Sequence, residues 1–350
     1  AVHELRAVGA GIWMPSNAMQ VFGRLNIAHK IEQAGAQLTS IQLQDCQHGT
    51  LTKTDLTNIS QKFGYATTAI HRGRLQALLV DELDPQHLHL NKRCTHLTQH
   101  PDHVEINFTD GTSVSAAIVI GADGLNSAVR QQLFPTAKTR YSGQSSFRAV
   151  VPVMLNDTFA NQGIEIWGHG CRFGFSTVSD TETYWYATFD IAEKTTLSSE
   201  TSKTLLKTFA KDFPHPILAL VQATPTDKLI RADIHDLATL PKWHTDRVVL
   251  IGDAAHATTP NLGQGGAQSV EDAYVLATAL AEQPNPQHAF QQYENTRRAK
   301  ALSIVNQSWQ LGKLAHLHNP AIRWLRDTTL KLTPAKLGQR QFESIYSLNF

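Results

Sequence analysis

Two short apolar runs, each leading into a turn and then a helical pattern, stand out in the distribution of hydrophobic and polar residues. Residues 116–120 form the first run, which ends in the turn GADG at residues 121–124. Ser127 then stands where the cap of a helix through Leu133 is expected. A continuous apolar run of this length is typical of a parallel strand buried on both faces. The pattern therefore predicts a strand–turn–helix unit of an α/β sheet.

A second unit of the same kind begins with the apolar run 248–251. It continues through Gly252 and Asp253 into a loop that extends to Gly266. Beyond the loop, apolar residues recur at spacings of three and four, at Val270, Ala273, Ala277 and Leu280. Such spacing predicts a helix that buries this one face.

Residues 141–240, between the two units, have a different pattern. The segments 163–167 and 183–189 alternate in polarity and are rich in aromatic residues, and turn signals lie at 168–170 and 179–180. These features indicate short strands joined by turns. We therefore predict an antiparallel sheet inserted into the α/β domain.

Beyond Pro286 the pattern is helical to the last residue. Two amphipathic stripes lie there, one with Trp309, Leu311 and Leu314 and the other with Ile322, Leu325 and Leu330. Stripes of this kind are typical of core or dimer packing. The predicted fold is a three-layer Rossmann-like α/β domain in two parts, with an inserted β-rich domain and C-terminal helices. The predicted boundaries are 1–140 and 241–315 for the two parts, 141–240 for the insert and 316–350 for the helical end.

Charge and composition narrow the function classes. Lysine and arginine number 31 against 30 acidic residues, a formal net charge of +1, and no basic stripe is interleaved with aromatic residues. A chain so balanced has no general attraction for nucleic acid. Its apolar runs are too short to cross a bilayer, and its first residues lack a signal-peptide pattern. Neither a nucleic-acid nor a membrane partner is predicted.

The cysteines and histidines indicate neither a disulfide framework nor a metal site. Cys46, Cys94 and Cys171 have no C-x-x-C spacing, and the 17 histidines are dispersed. Unpaired thiols are typical of a reducing compartment, so we predict a cytoplasmic protein without a bound metal.

The segment 247–272, RVVLIGDAAHATTPNLGQGGAQSVED, carries the strongest chemical signal. Ligands of open α/β sheets bind beyond the carboxyl ends of the strands, where Asp253 is predicted to lie. Gly263, Gly265 and Gly266 allow the backbone to approach a ligand, and their N–H groups open a helix that favours an anion. The alternative is a glycine-rich turn that only lets strand and helix pack closely. The three glycines alone favour that alternative, whereas the ordered combination with strand, Asp253 and helix favours a ligand loop.

This segment resembles the second FAD motif of the flavoprotein aromatic hydroxylases, the group that includes para-hydroxybenzoate, salicylate and urate hydroxylases. The resemblance implies FAD as cofactor, with Asp253 bound to the ribityl chain. It also implies that a loop lies against the pyrophosphate, ribityl chain and isoalloxazine ring, formed here by Gly263, Gln264, Gly265, Gly266 and Ala267.

Other segments are similar to further motifs of the same family. The GADG turn with Ser127 and Arg130 resembles a motif credited with flavin and nicotinamide contacts, which implies such roles for Asp123 and Gly124. By the same resemblance, Arg72 faces the flavin, and Arg6 and Trp13 lie near it. The pattern Tyr293-Glu294-x-x-Arg297-Arg298 follows the last FAD helix, as in the family.

One departure from the family concerns the first residues. The G-x-G-x-x-G turn expected near the N-terminus, and the acidic residue after it, are not found. The candidate at residues 9–14 lacks the third glycine and a preceding strand. We therefore expect the chain to begin after the first strand–helix–strand unit and to lack part of the pyrophosphate site.

The inserted sheet offers Arg148, Arg172, Tyr184 and Tyr186 as polar groups for a substrate. An arginine pairs with a carboxylate or polarises a phenolate, and a tyrosine orients a hydroxyl. Resemblance to the urate and aromatic hydroxylases makes Arg172 and Tyr184 the first choices as catalytic residues. The alternative is that Tyr184 packs within the sheet and Arg172 is a solvated edge charge. His256 is expected to hold its loop by hydrogen bonds.

The resulting hypothesis is an FAD-dependent monooxygenase that uses NADH or NADPH and O₂ to hydroxylate a small aromatic or heteroaromatic ring, as a monomer or homodimer. Two alternatives stay open. One is a flavin dehydrogenase or oxidase on the same fold, and the other is an inactive fragment that binds FAD poorly.

Overall fold

The computed structural model describes residues 4, 5 and 9–350. Its strands are β1 (Gly11–Met14), β2 (Ala36–Leu38), β3 (Ser40–Asp45), β4 (Gly49–Asp55), β5 (Thr67–His71), β6 (Cys94–Gln99), β7 (Val104–Phe108), β8 (Ser113–Ala116), β9 (Val119–Gly121), β10 (Thr139–Val151), β11 (Gln162–Trp167), β12 (Cys171–Ser179), β13 (Glu182–Asp190), β14 (Ile230–Leu237) and β15 (Val248–Leu250). Its α-helices are α1 (Ser16–Arg24), α2 (Ala28–Ala34), α3 (Thr57–Phe63), α4 (Arg72–Val80), α5 (Ala128–Leu133), α6 (Ser199–Ala210), α7 (Ile217–Ala223), α8 (Asp253–His256), α9 (Gly265–Glu282), α10 (Pro286–Ala315), α11 (Pro320–Leu332) and α12 (Ala335–Tyr346).

A seven-stranded sheet with the order β14-β10-β13-β12-β11-β3-β4 is the largest element. Its strands pair antiparallel except β11 and β3, which run parallel. The predicted insert thus supplies five of the strands, and residues 40–55 supply the other two. One face, which includes Phe147, Phe173 and Trp185, packs against α6 and α7. Because side chains alternate along a strand, the intervening residues lie on the opposite face, which we call the cleft face.

The parallel pair β9–β15 corrects the prediction for residues 116–120. That apolar run is divided between two sheets, because β8 ends at Ala116 and pairs with β7, whereas β9 begins at Val119 and pairs with β15. β15 is fully buried, as expected. Burial of the first run on both faces was wrong, since Ile120 is 43% exposed.

Helix α9 forms where it was predicted, but it buries a different face. Ala273 and Ala277 are exposed, whereas Gln268, Glu271 and Asp272 are completely buried. The spacing of apolar residues did not predict this buried face, because the face carries polar side chains. Arg297 of α10 donates hydrogen bonds to all three of them. Buried polar groups are tolerated when they are paired in this way.

The C-terminal region is helical, as predicted, yet α11 also reverses the expected pattern. Ile322 and Leu325 are 50% and 59% exposed, whereas Arg323 and Arg326 are buried. The guanidinium of Arg326 stacks 4.5 Å above the centre of the Trp167 ring, which gives this charged residue an apolar partner. Among the helices that the structure describes, none is both long and apolar enough to cross a membrane.

Candidate active site

Asp253 stands at the first position of α8, directly beyond β15. Part of the residue is exposed, and its carboxylate accepts no hydrogen bond from any of the residues that the structure describes. Burial of the carboxylate disfavours its charged form and raises the pKa of Asp253, although the charges of His256, Arg72 and Arg130 act in the opposite direction. A carboxylate held among cations without a hydrogen-bond donor suits a ligand that brings hydroxyl groups.

The glycine loop that follows, residues 263–267, forms the start of α9. Gly263 has φ of +62°, and a Cβ atom there would meet no atom within 4 Å, so this residue borders open space. Gly266 differs, because a Cβ atom on it would lie 3.1 Å from Ile12 Cδ1 of β1. Gly266 therefore fits the packing interpretation, whereas contact of Gly263 with a ligand stays a prediction. The first N–H groups of the 18-residue helix α9 lack helical partners, which favours an anion there.

A buried polar network fixes the loop from behind. The side-chain oxygen of Gln264 accepts hydrogen bonds from Asn17 at 3.0 Å and from Gln268 at 3.1 Å. Glu271 in turn accepts from Asn17 at 2.6 Å and pairs with Arg297 and Lys300. Helices α1, α9 and α10 are thus joined beneath the loop.

Asp272 extends this network to the turn at Asp253. Its carboxylate accepts hydrogen bonds from the Gly252 N–H at 2.9 Å, from His256 at 2.6 Å and from Arg297 at 2.8 Å. Burial disfavours its charge, but His256, Arg297 and the Gly252 N–H outweigh that effect and hold the pKa of Asp272 well below its usual range. His256 therefore stabilises the loop through a hydrogen bond, as expected.

The GADG turn is fixed by its own side chains and by Arg130. Asp123 accepts hydrogen bonds from the Ser127 hydroxyl and from the Val129 N–H, and Ser127 caps α5 by accepting from the Arg130 N–H at 2.8 Å. The buried guanidinium of Arg130 donates to the carbonyl of Ala254 at 3.1 Å. This arginine ties the GADG turn to the turn at Asp253. Contact of Asp123 and Gly124 with a cofactor stays a prediction.

The other residues expected near a cofactor lie on or beside β1. Arg72 begins α4, its side chain is exposed beside Gly9, and its charge acts on Asp253. Trp13 donates from its Nε1 to the Ser176 hydroxyl at 2.9 Å, and its ring rests on Gly163, where a Cβ atom would collide with it. Trp13 therefore joins β1 to the seven-stranded sheet. Arg6 lies outside the described residues.

Arg172, on the cleft face of β12, is buried and fully engaged. It donates from Nε to the Thr188 hydroxyl at 2.9 Å, pairs with Glu165 at 3.3 Å, and donates to the side chain of Asn261. The alternative of a solvated edge charge is therefore wrong. Because Asn261 precedes the glycine loop, Arg172 connects the sheet to that loop. Direct contact with a substrate stays a prediction.

The two tyrosines of β13 lie on the same cleft face, 5.9 Å apart between ring centres. Tyr184 rests on Gly11 of β1, and burial raises its pKa to about 12, against the opposing charge of Arg148. Tyr186 crosses over Gly174 and donates its hydroxyl to Glu165. Burial and the charge of Glu165 raise the pKa of Tyr186 well above its usual value. Both hydroxyls stay protonated near neutral pH; the proton of Tyr186 is donated to Glu165, whereas Tyr184 can donate to a ligand.

Three residues of this site were not predicted: Glu165, Asn261 and His316. Glu165 accepts from Trp167 at 2.5 Å as well as from Tyr186 and Arg172. His316, at the end of α10, bonds to Thr188 at 2.8 Å and to Asp190 at 2.7 Å. The sequence did contain one indication of Glu165, because a charged residue that alternates with apolar residues along β11 lies on the opposite face of the strand. No group of three or more metal-ligating side chains is found within the part of the chain that the structure describes.

Comparison with known proteins shows which family this chain belongs to and which cofactor that family binds. A family model described as an FAD binding domain matches residues 9–308. The aurachin C monooxygenase/isomerase of Stigmatella aurantiaca is 34% identical over 328 residues, which cover 94% of this chain and 85% of that protein. The 2-heptyl-3-hydroxy-4(1H)-quinolone synthase of Pseudomonas aeruginosa is 34% identical over 353 residues, which cover 98% of this chain and 90% of that protein.

Among solved structures, Klebsiella pneumoniae HpxO complexed with FAD and uric acid has the same fold. The TM-score is 0.91 at 24% identity, and the match covers 99% of this chain and 89% of that one. The unpartnered Asp253 carboxylate, the open space at Gly263 and the free N–H groups of α9 fit FAD. The hydroxyl-rich ribityl chain would reach the carboxylate, and an anionic part would reach the helix end.

Proposed function

Since this chain belongs to the family of FAD-dependent aromatic and heteroaromatic monooxygenases, we propose that it uses NADH or NADPH and O₂ to hydroxylate a small oxygen-bearing heteroaromatic ring. The observation that carries the proposal is the link from Arg172 to Asn261, because it sets the polar cleft face beside the glycine loop. The name of the quinolone synthase supports a ring with hydroxyl and oxo groups.

The protein's part in such a reaction is to hold the cofactor and to orient the ring. Asp253 and residues 263–267 would hold FAD, which when bound supplies two-electron redox chemistry and the activation of O₂. Tyr184 offers a protonated hydroxyl to polar groups of the ring, whereas the hydroxyl proton of Tyr186 is donated to Glu165. Arg172 is fixed by Glu165 and Thr188, so it contributes a stationary positive charge. Pre-oriented groups of this kind favour reaction by lowering the entropic cost of correct placement.

The test is turnover by FAD-loaded protein with a panel of ring compounds, 4(1H)-quinolone included. We expect oxidation of NADH or NADPH to rise when the correct ring is added, and a product carrying one atom of ¹⁸O from ¹⁸O₂ by mass spectrometry. A ring product without ¹⁸O would instead indicate a dehydrogenase or an oxidase. Protein that takes up no FAD would support the inactive alternative.

A further inference from the structure

Arg148 lies on the cleft face, on the second strand from one edge of the sheet. It lies on β10, opposite Tyr186 of β13 on one side and Ile230 of β14 on the other. The same row continues from Tyr186 to Gly174 and Glu165. Residues in register on adjacent strands project from the same face, so Arg148 is a direct neighbour of the tyrosine that bonds Glu165.

The guanidinium of Arg148 has no acceptor. No hydrogen bond or ion pair of its side chain exists with any residue in the described part of the chain, and its Nε atom is buried without a partner. Other arginines of the sheet each have an acidic partner, although the Nε atom of Arg231 is likewise buried without an acceptor. Arg140 pairs with Asp236, Arg172 with Glu165 and Arg231 with Asp233.

A buried donor of a charged group that lacks an acceptor is costly, and a native protein rarely keeps one without a function. Burial of the neighbouring phenol groups excludes water from this region, which strengthens the field of the charge. That field reaches the adjacent tyrosine, because the charge of Arg148 acts on the Tyr184 hydroxyl. The missing acceptor is therefore expected from a bound molecule.

We propose that Arg148 binds an oxo or ionised hydroxyl oxygen on the substrate ring and thereby selects oxygen-bearing rings over rings without that oxygen. The assignment rests on the proposed function, in that the cleft face is taken as the substrate wall. The planar guanidinium donates from Nε and a terminal nitrogen together, which fixes the oxygen in the plane of the fork.

The proposal is tested by equilibrium binding to FAD-loaded protein, followed through the flavin absorbance without NADH, NADPH or turnover. The two probes are 4(1H)-quinolone, which carries a ring oxygen, and quinoline, which does not. Wild-type protein is expected to bind the quinolone about ten- to a hundredfold more tightly, as follows from a hydrogen bond to a charged group. Arg148→Met is expected to reduce this preference to about threefold or less, with the quinoline Kd unchanged.

Arg231→Met is the matched control, because Arg231 lies on the next strand, is already paired with Asp233, and faces away from the cleft. It should keep the wild-type preference. The assignment fails if Arg148→Met keeps that preference or if wild-type protein does not distinguish the probes. Should Arg148→Met lose FAD, Arg148→Leu, which likewise lacks a hydrogen-bond donor, replaces it with the same expectation.

Equilibrium binding tests the Arg148 site, and turnover tests the monooxygenase function, so the two proposals can fail separately. If the probes behave as expected but no oxygenated product forms with any ring, the monooxygenase function fails and the Arg148 site stands. If product forms but the variant keeps its preference, only the Arg148 site fails.

Discussion

At the residue scale, Asp253 offers a carboxylate that accepts no hydrogen bond from the described residues, and we predict that cofactor binding depends on it. Asp253 has this character because β15 ends beside it and α8 begins with it. The charges of His256, Arg72 and Arg130 act on this carboxylate. Hydroxyl donors of a ligand can therefore reach the carboxylate without displacing a protein partner.

Replacing Asp253 with alanine should weaken FAD binding by about 1–3 kcal/mol, the usual effect of losing a hydrogen bond to a charged group. Fluorescence titration of FAD against wild-type and variant protein measures the difference. Asp180→Ala, in the exposed turn between β12 and β13, is the control and should bind FAD as the wild type does. Equal affinity for FAD in wild type and Asp253→Ala would remove Asp253 from the cofactor site.

Individual residues differ in how much of their environment the sequence predicts. The candidate residues Asp253 and Gly263 were identified from a motif that is local and ordered along the chain. Arg172 was placed on the correct strand, but its engagement with Glu165, Thr188 and Asn261 depends on strand register and on a loop 89 residues away. Pairing across a sheet is set by tertiary packing, which a single stretch of sequence does not contain.

At the scale of elements, α10 positions the loop that precedes the glycines. Asn261 donates from its side-chain nitrogen to the carbonyl of Ser308 at 2.7 Å and to the Thr259 hydroxyl at 2.9 Å. Its amide lies directly against Gly312 of α10, where a Cβ atom would collide with it. A glycine within a helix is unfavourable, so close approach of Asn261 accounts for it.

Gly312→Ala is therefore expected to destabilise the protein, although alanine favours a helix by about 1 kcal/mol. Gly338→Ala in α12 is the matched control, since its Cβ atom would meet only Thr54 Oγ1, at 3.8 Å. That control should be neutral or stabilising by up to about 1 kcal/mol. Urea unfolding of both variants measures the two effects. Stabilisation of equal size in both would mean that Asn261 does not need the space at Gly312.

Helices were predicted well in position and poorly in orientation. The capped start of α5 at Ser127 and the extent of α9 followed from local signals. The buried faces of α9 and α11 did not, because they carry paired charges where apolar residues were expected. Their partners, such as Arg297 for α9, lie on other helices, and the energetic balance of such pairs cannot be read from one helix alone.

At the scale of the whole molecule, the ion pairs of Asp272 and Glu271 with Arg297 connect α9, which begins in the glycine loop, to α10. The folded state lowers the pKa of Asp272, so the unfolded state binds its proton more readily. The stabilising contribution is therefore fully present above the unfolded pKa of about 3.9 and is lost as the pH falls through the lower folded value.

Asp272→Asn should reduce the free energy of unfolding at pH 7 by about 3–5 kcal/mol, as is usual when one partner of a buried pair is removed. It should also flatten the decline in stability below about pH 4, because the titrating group is gone. Chemical denaturation with excess FAD between pH 3 and pH 7 measures both effects. Asp157→Asn, at an exposed turn, is the control and should follow the wild-type curve. A variant as stable as wild type at pH 7 would contradict the structural role of the pair.

The architecture as a whole was largely accessible from the sequence, namely an α/β fold with an added sheet and C-terminal helices. The contribution of residues 40–55 to that sheet was not, because β3 joins β11 in parallel across more than a hundred residues of chain. Local alternation identifies a strand without naming its neighbour.

The packing of aromatic rings onto glycines restricts which substitutions can change the shape of this cleft. Trp13 rests on Gly163, Tyr184 on Gly11, and Tyr186 on Gly174, each pair lying across two different strands. Enlarging one member of a pair closes the space that the other needs, so the effects of the two substitutions are not additive. A mutational path toward a differently shaped pocket must therefore change both members together. Libraries that vary these positions in pairs will reach active variants that single substitutions cannot.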